Sequence, residues 1–280
     1  MRVSIVLACR DNRGSLKMTV KSILRQSYKE FELIIVDDGS KIPIHISLSD
    51  ISDPRIRIYR IDGQGLGAAL NYGISKSTGD YIARIDDDDL MDPQRIQKQV
   101  SFLDNNRRTV CVGTQLWFKS GGRYKAVRRF PVKNDAILDD LLRLKFSIAH
   151  CAVMYRRSAF EAVGGYRILG GGQDLDLFLQ FSKVGELANL DEFLTYYNLS
   201  LSGLSVRAPK NKYKAYLFAL NSIANDSRFV THRSEISGTI NVVLTKLSSR
   251  SNYLFATKRF FLIWGVWLFG KNIASNLKVN

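Results

Sequence analysis

Asp86, Asp87, Asp88 and Asp89 stand in a row directly behind the apolar stretch Tyr81, Ile82, Ala83, Arg84, Ile85. Carboxylates delivered by the end of a strand are oxygen ligands for a hard cation. Mg²⁺ and Mn²⁺ are commonly held by one or two such groups together with substrate phosphates. In an extended segment alternate residues share a side, so Asp86 and Asp88 are the expected metal ligands. Runs of like charge are more often solvated turns. What favours a site is repetition: Phe31, Glu32, Leu33, Ile34, Ile35 and Val36 also end in paired aspartates, Asp37 and Asp38, followed by Gly39 and Ser40. In open α/β sheets ligands bind outside the carboxyl ends of the strands. One acidic turn is then suited to a base or ribose and the other to a metal on phosphates.

Those turns need strands and helices to hold them. Apolar runs predict strands over 3–8, 31–36, 56–61 and 81–85. Ser15 is the expected cap of a helix through Leu16, Val20, Ile23 and Leu24, and a second helix opens after Gly63 to Gly67 and runs through Ala68, Leu70 and Ile74. This alternation reads as a mostly parallel sheet covered by helices. Pro93 fits the first turn of a helix through Ile96, Val100 and Leu103. Beyond it, strands are expected over 110–118 and 124–130 around Gly121-Gly122, a helix over 135–144 and a strand over 151–155. Gly170, Gly171 and Gly172 form a loop ahead of a helix that carries Gln173, Asp174 and Asp176, and from Lys210 onward the pattern is helical.

The 280 residues suit one α/β domain plus an extension. Met1-Arg2 leads directly into a strand, with no secretory signal pattern, and the three cysteines, Cys9, Cys111 and Cys151, are far apart. A reducing cytoplasmic setting is expected. The three histidines, His45, His150 and His232, have no zinc-ligand spacing.

Net charge is +15, and from Ser205 onward 12 Lys and Arg face only Asp226 and Glu235. Nucleic acid or an anionic membrane could meet such a surface. The apolar segment 260–269, with Trp264 and Trp267 between Lys258, Arg259 and Lys271, favours the membrane and argues against nucleic acid. It is too short to span a bilayer, which takes about 20 apolar residues. The expected placement is peripheral, on the inner face of the cell membrane; the competing reading is a helix docked on the core.

Several ordered motifs resemble family 2 glycosyltransferases of the GT-A fold. They are 3–7, 22–28 and 36–40; 65–74 and 79–89; and Met154-Tyr155-Arg156-Arg157-Ser158, Val163-Gly164-Gly165-Tyr166 and Gln173-Asp174-Leu175-Asp176-Leu177. The resemblance covers about residues 1–200. It implies an α/β GT-A fold, a Rossmann-like mixed sheet flanked by helices, with a helical C-terminal extension. It divides the chain into 1–205, with a nucleotide-sugar half at 1–105 and an acceptor half at 106–205, and a basic extension at 206–280. The implied reaction is inverting transfer from a nucleotide sugar, usually a UDP-sugar, with Mn²⁺ or Mg²⁺. Asp38 would contact the uracil, Asp86 the ribose or metal, and Asp88 the metal on the diphosphate; Asn71 and Arg84 join the donor-binding set. Asp174 would be the general base that takes the acceptor hydroxyl's proton.

Two departures qualify the likeness. The family often has Glu-Asp where this chain has Gln173-Asp174, and the Gln-x-x-Arg-Trp motif of processive synthases is missing. A one-sugar transferase acting on a lipid-diphosphate-linked saccharide of bacterial O-antigen, capsule or exopolysaccharide is expected. The alternatives are a nucleotidyltransferase that makes sugar nucleotides and a non-catalytic sugar-nucleotide-binding subunit. The first needs a glycine-rich loop after the first strand, where this chain has Cys9-Arg10-Asp11-Asn12-Arg13-Gly14; Gln173 keeps the second open. Gly63-x-Gly65-x-x-Ala68 is a weak dinucleotide fingerprint in the wrong place, after the third strand. His150 reads as a satisfied strand residue that could line the acceptor pocket. The basic residues Lys119, Arg123, Lys125, Arg128 and Arg129 read as a solvated hairpin.

Overall fold

A computed structural model describes residues 2–11, 14–120, 123–126, 129–198 and 209–248. The first half runs β1 (Val3–Cys9), α1 (Leu16–Leu24), β2 (Phe31–Asp38), α2 (Ile44–Ser47), β3 (Ile56–Ile61), α3 (Leu66–Ser75), β4 (Tyr81–Arg84), β5 (Leu90–Met91) and α4 (Arg95–Asn105). The second half adds β6 (Thr109–Ser120), β7 (Arg123–Ala126), α5 (Asn134–Leu142), β8 (Met154–Arg156), α6 (Arg157–Ala162), α7 (Gln173–Phe181) and β9 (Glu186–Tyr197). Two helices follow, α8 (Pro209–Ala224) and α9 (Arg233–Ser248).

The described strands form one sheet in the order β3-β2-β1-β4-β8-β6-β9-β5, with β7 on β6. The block β3-β2-β1-β4 is parallel, as the alternation of strands and helices predicts. From β8 onward the sheet is mixed, because β8 enters antiparallel to both β4 and β6, and β9 runs parallel to β6.

β1 and β2 are buried along their whole length, so their sequences are apolar on both faces rather than alternating. The two faces feed different cores. Val6, Ala8, Ile34 and Val36 pack with α3, α5, α7, α8 and α9. Val3, Ile5, Leu7, Phe31, Leu33 and Ile35 pack with α1 and α4 on the other side. The helix α3 lies so close to the sheet that a Cβ on Gly73 would stand 2.8 Å from Val6 Cγ1 and 2.9 Å from Val36 Cγ2. Ala219, Leu220, Ile223, Ile236 and Val243 of α8 and α9 belong to the same cluster as Leu175 and Phe178 of α7.

Several local expectations need correction. Ser15 occupies the position before α1, but its hydroxyl makes no cap; its carbonyl instead accepts the Met18 and Thr19 N–H groups. The strand expected over 151–155 is a 3₁₀ turn, His150–Ala152, followed by the short β8, so His150 is not a strand residue. At this break the Arg95 guanidinium donates to the Cys151 carbonyl at 3.0 Å and, at 3.3 Å, to the Val153 carbonyl, which also accepts the Arg84 N–H. The strand expected over 124–130 stops at Ala126 within the described residues. Pro93 lies in the turn before α4 rather than in its first turn. Among the described residues no helix is long and apolar enough to cross a membrane. The apolar segment 260–269 and its basic flanks lie outside the described residues, as do Gly121, Gly122 and Arg128.

Candidate active site

Parallel strands bring β1, β2 and β4 to a common carboxyl edge, with Cys9 opposite Asp37 and Val6 opposite Arg84. Asp37 is a structural member of that edge. It accepts from Ser40 N at 2.8 Å, Ile44 N at 3.3 Å and Arg60 Nη1 at 2.7 Å. Burial alone would raise its pKa, but the hydrogen bonds from Ser40 and Ile44 and the Arg60 charge prevail and hold it below the usual carboxylate range. Asp38, the residue expected at the base, accepts from Gln64 N at 2.7 Å and Gly65 N at 3.0 Å. It therefore fixes the loop that opens α3. Asp11 is stitched to the same edge, its N–H donating to Ser40 Oγ at 2.9 Å.

The four aspartates do not continue the strand. β4 ends at Arg84, and Asp89 N donates to Asp86 O at 3.3 Å across a turn. Asp86 and Asp88 therefore do not share one side of an extended segment, contrary to the sequence pattern. The turn instead gathers Asp86 and Asp89, and Cys151 comes in from the 3₁₀ turn; their ligand atoms lie within 4.8 Å of one another. Asp88 is half-buried on the same turn. Asp89 is wholly buried; Oδ1 accepts Asn198 N at 2.9 Å, while Oδ2 has no hydrogen-bond partner. Burial raises its pKa well above the ordinary value, and Asp86 and Asp88 push the same way. Burial also raises the Cys151 thiol, and Asp89 and Asp86 add to it, so the sulfur stays protonated at neutral pH.

Arg84 is buried and pairs with Asp86, yet its Nε and Nη1 have no partner. Burial opposes its charge, and the Asp86 carboxylate more than restores it. Two orphaned donors beside crowded carboxylates are expensive in a folded core and mark a place where a polar ligand fits. Beneath them Arg95, fully buried, donates to Arg84 O at 2.7 Å and Cys151 O at 3.0 Å. Burial lowers its pKa to about 10, still cationic at neutral pH.

Asn71 does not reach into this space. Its Oδ1 accepts Tyr166 N at 2.9 Å and its Nδ2 donates to Tyr166 O at 2.7 Å. Tyr166 in turn meets His150 Nε2 at 2.7 Å and the Tyr155 hydroxyl at 3.3 Å through its own hydroxyl. Burial raises the Tyr166 phenol, while the Tyr155 hydrogen bond and the Arg84 charge lower it and Asp174 raises it. Asp174 lies half-buried in the first turn of α7, where the helix dipole favours a carboxylate. Asp176, two residues on in the same turn and buried, is spent: Arg167 grips both its oxygens, with Nε at 2.6 Å from Oδ2. A concavity of about 420 Å³ at the opposite end of β4 includes Arg2, Arg156 and Arg157, but Arg156 and Arg157 mainly serve main-chain carbonyls there.

Sequence reasoning missed Arg95, Tyr166 and Arg167. A buried arginine carries no local signal, and the partners of Tyr166 and Arg167 lie on distant or non-periodic residues.

A family profile described as Glycosyl transferase family 2 matches residues 4–164. A Bacillus subtilis (strain 168) protein named as the glycosyltransferase EpsE is 31% identical over 224 residues, 78% of this chain and 77% of that protein. The O-antigen biosynthesis glycosyltransferase WbnJ of Escherichia coli is 30% identical over 64% of this chain and 70% of its own. Among solved structures, S. aureus TarS 1-349 in complex with UDP-GlcNAc has a TM-score of 0.70 at 13% identity, over 94% of this chain and 81% of that one. The mannosyltransferase PcManGT from Pyrobaculum calidifontis, in complex with GDP-Man and Mn²⁺, has a TM-score of 0.63 at 13% identity, over 96% and 81%. These two likenesses show the GT-A fold.

Proposed function

The chain belongs to glycosyl transferase family 2, and on that premise we propose that it moves one sugar from a UDP-sugar, a hexose or N-acetylhexosamine, to a lipid-diphosphate-linked saccharide, with inversion. The setting proposed is bacterial O-antigen, capsule or exopolysaccharide synthesis, which the names of relatives such as WbnJ and the amylovoran biosynthesis glycosyltransferase AmsE of Erwinia amylovora support. The division proposed is a donor half at 1–105, an acceptor half at 106–205 and an extension at 206–280.

The observation that carries this reading is the pair of acidic strand ends beside the buried Arg84, which pairs with Asp86 and keeps two donors unpartnered. The reaction breaks the bond from the anomeric carbon to the UDP oxygen and forms one to the acceptor oxygen. Asp174 takes the acceptor proton as that bond forms, on the face away from UDP. Gln173, where relatives often have Glu, hydrogen-bonds but takes no proton at neutral pH. Arg84, with its two unpartnered donors, stabilises charge gathering on the departing diphosphate.

The donor set fits a hard divalent cation, Mn²⁺ or Mg²⁺. The ligands proposed are Asp86 and Asp88. Asp89 Oδ2, buried without a partner beside them, supports a cation in this turn, whereas the protonated Cys151 does not suit one. When bound, the ion supplies charge neutralisation for the leaving group. Asp38 is proposed at the donor base, and Asn71 serves the donor site indirectly, through Tyr166.

The test is UDP release from a panel of UDP- and dTDP-sugars, with and without lipid-diphosphate-GlcNAc, and the anomeric configuration of the product by NMR. Acceptor-dependent release with an inverted product is expected. Release without dependence on any acceptor, or a product of retained configuration, sinks the proposal.

A further inference from the structure

The acidic turn carries a donor that a hard cation does not use. Asp86, Asp89 and Cys151 each present a ligand atom, and these atoms all lie within 4.8 Å of one another. The set joins two separate turns, the one behind β4 and the 3₁₀ turn His150–Ala152. Arg95 braces both, donating to Arg84 O at 2.7 Å and to Cys151 O at 3.0 Å. Asn198 N holds Asp89 Oδ1 at 2.9 Å. The thiol and the carboxylates are therefore brought together by the fold and not by chance rotation of surface side chains.

Asp89 and Cys151 are 0% and 3% exposed. Asp89 Oδ2 is buried without a hydrogen-bond partner, and burial and the Asp86 and Asp88 charges all oppose its ionisation. A cation would satisfy that oxygen and offset the repulsion together. The charges also close. Two carboxylates and a thiolate exceed a divalent ion by one negative charge, and Arg84, paired with Asp86, cancels it. The Asp86 side chain is 35% exposed and leaves a way in from solvent. Sulfur, unsuited to Mg²⁺ or Mn²⁺, suits the softer Zn²⁺, which takes cysteine and carboxylate ligands in a tetrahedral shell. In such a shell, with Zn–S about 2.3 Å and Zn–O about 2.0–2.2 Å, ligand atoms stand about 3.5 Å apart. Side-chain shifts of about 1 Å close the present spacing to that value.

We propose that Asp86, Asp89 and Cys151 form a Zn²⁺ site that overlaps, through Asp86, the place of the reaction's hard cation. Three protein ligands leave a fourth position for water. On binding, the thiol proton leaves to solvent and the sulfur becomes a thiolate ligand. Zn²⁺ then inhibits transfer, because it withholds Asp86 from Mn²⁺ or Mg²⁺. The inhibition rests on the proposed roles of Asp86 and Asp88; the Zn²⁺ site itself does not.

The experiment uses the full chain, reduced and free of metal, with Co²⁺ as an optical stand-in for Zn²⁺. A thiolate on Co²⁺ gives a near-ultraviolet charge-transfer band. One such band per chain is expected, abolished by an equal amount of Zn²⁺. Cys151→Ser should lose the band and bind Zn²⁺ more weakly by over about 100-fold, since a direct ligand is worth more than the roughly 10–100-fold of an outer-shell partner. It should still bind Mn²⁺, read by electron paramagnetic resonance. No band in wild type, or a band and a Zn²⁺ affinity kept by Cys151→Ser, overturns the site. If Cys151→Ser does not fold by circular dichroism, X-ray absorption of the Zn²⁺-loaded wild type decides. One sulfur at about 2.3 Å, kept in Cys9→Ser and in Cys111→Ser, upholds the site, and any other shell overturns it. Transfer is then measured at fixed Mn²⁺ with rising Zn²⁺. Zn²⁺ should lower it in wild type and not in Cys151→Ser, each against its own Zn²⁺-free rate. Transfer that persists in the Zn²⁺-loaded wild type overturns the inhibition. A wild type that releases no UDP with any sugar and any metal sinks the transferase reading instead, and the Co²⁺ band alone then decides the site.

Discussion

Asn71 holds Tyr166 by both ends of its amide, Oδ1 taking the tyrosine N–H at 2.9 Å and Nδ2 giving to its carbonyl at 2.7 Å. The two residues lie 95 positions apart, one on α3 and the other ahead of α7. The clamp ties the part of the chain that ends in acidic strand tips to the part that carries Asp174. Both ends of the Asn71 amide are thus engaged by the Tyr166 backbone.

Asp174 and Asp176 should separate cleanly by mutation. Asp174→Asn is expected to keep UDP-sugar binding while transfer falls roughly 10²–10⁴-fold, the usual scale of a lost general base. Asp176→Asn removes the carboxylate that the partly exposed Arg167 grips; because burial already holds that carboxyl above its ordinary pKa, the loss should be modest, about 1 kcal/mol of stability, with transfer retained. Urea unfolding and acceptor-dependent UDP release, measured on both variants, check the assignment; the reverse pattern would assign the proton to Asp176.

Metal dependence follows from the carboxylate turn. EDTA should abolish transfer, and Mn²⁺ or Mg²⁺ should restore it. Asp88→Ala should lower the rate by orders of magnitude and weaken Mn²⁺ binding, read directly by electron paramagnetic resonance. Full activity in EDTA rejects the cation.

Gly73→Ala sets helix propensity against packing. Alanine is better than glycine in a helix by up to about 1 kcal/mol. Here its Cβ would enter contacts of 2.8 and 2.9 Å with Val6 and Val36, and such overpacking costs about 1–3 kcal/mol. A net loss of roughly 1 kcal/mol is expected from urea denaturation. Gly238→Ala on α9, where no atom lies within 4 Å, is the control and should stabilise. Equal effects at both sites would show that the sheet yields at Gly73.

His150 makes stability depend on pH. Burial, reinforced by the Arg84 charge, keeps its imidazole well below the ordinary histidine pKa. The unfolded chain takes up a proton below about pH 6.5 that the folded chain refuses. This contribution is therefore complete above that pH and is lost as the pH falls, with a limiting slope of about 1.4 kcal/mol per pH unit. His150→Gln should flatten the fall between about pH 6.5 and 5 by that one proton. Chemical denaturation at stepped pH measures it, and an unchanged slope assigns the loss elsewhere.

Removing residues from Tyr253 onward tests the membrane reading of the basic, tryptophan-bearing segment. Liposomes containing anionic lipid should pellet the full chain, less so at high salt, and should leave the truncated chain in solution. Equal pelleting, or unfolding of the truncated chain, favours a docked helix.

The parallel half of the fold was legible because it is local. β1 and β2 are near-continuous apolar runs and β3 alternates Ile56, Ile58 and Ile61 with Arg57 and Arg60, while α1 and α3 carry their own helical periodicity. The ends of those strands announced Asp38 and the acidic turn for the same reason. β5, of two residues, and the long β9 were not read, since their pairing is with partners about a hundred residues away or on a bulged register. Conformation at the four aspartates also escaped, because whether such a run extends or turns is settled by Arg95 and Asn198 from elsewhere in the chain. The motifs located Asn71 and Asp176 but not their tasks, which depend on Tyr166 and Arg167.

The pairing of β5 with β9 has a consequence for the order of assembly. Leu90 and Met91 find their ladder partners at Tyr196 and Thr195, and Asp89 is fixed by the Asn198 N–H, 109 residues downstream. At a synthesis rate of about 5–20 residues per second, that delay is roughly 5–20 seconds. Through that interval a nascent chain can already hold the parallel strands, with the acidic turn still lacking its final brace. The site would thus be completed late in translation, after the sheet that supports it.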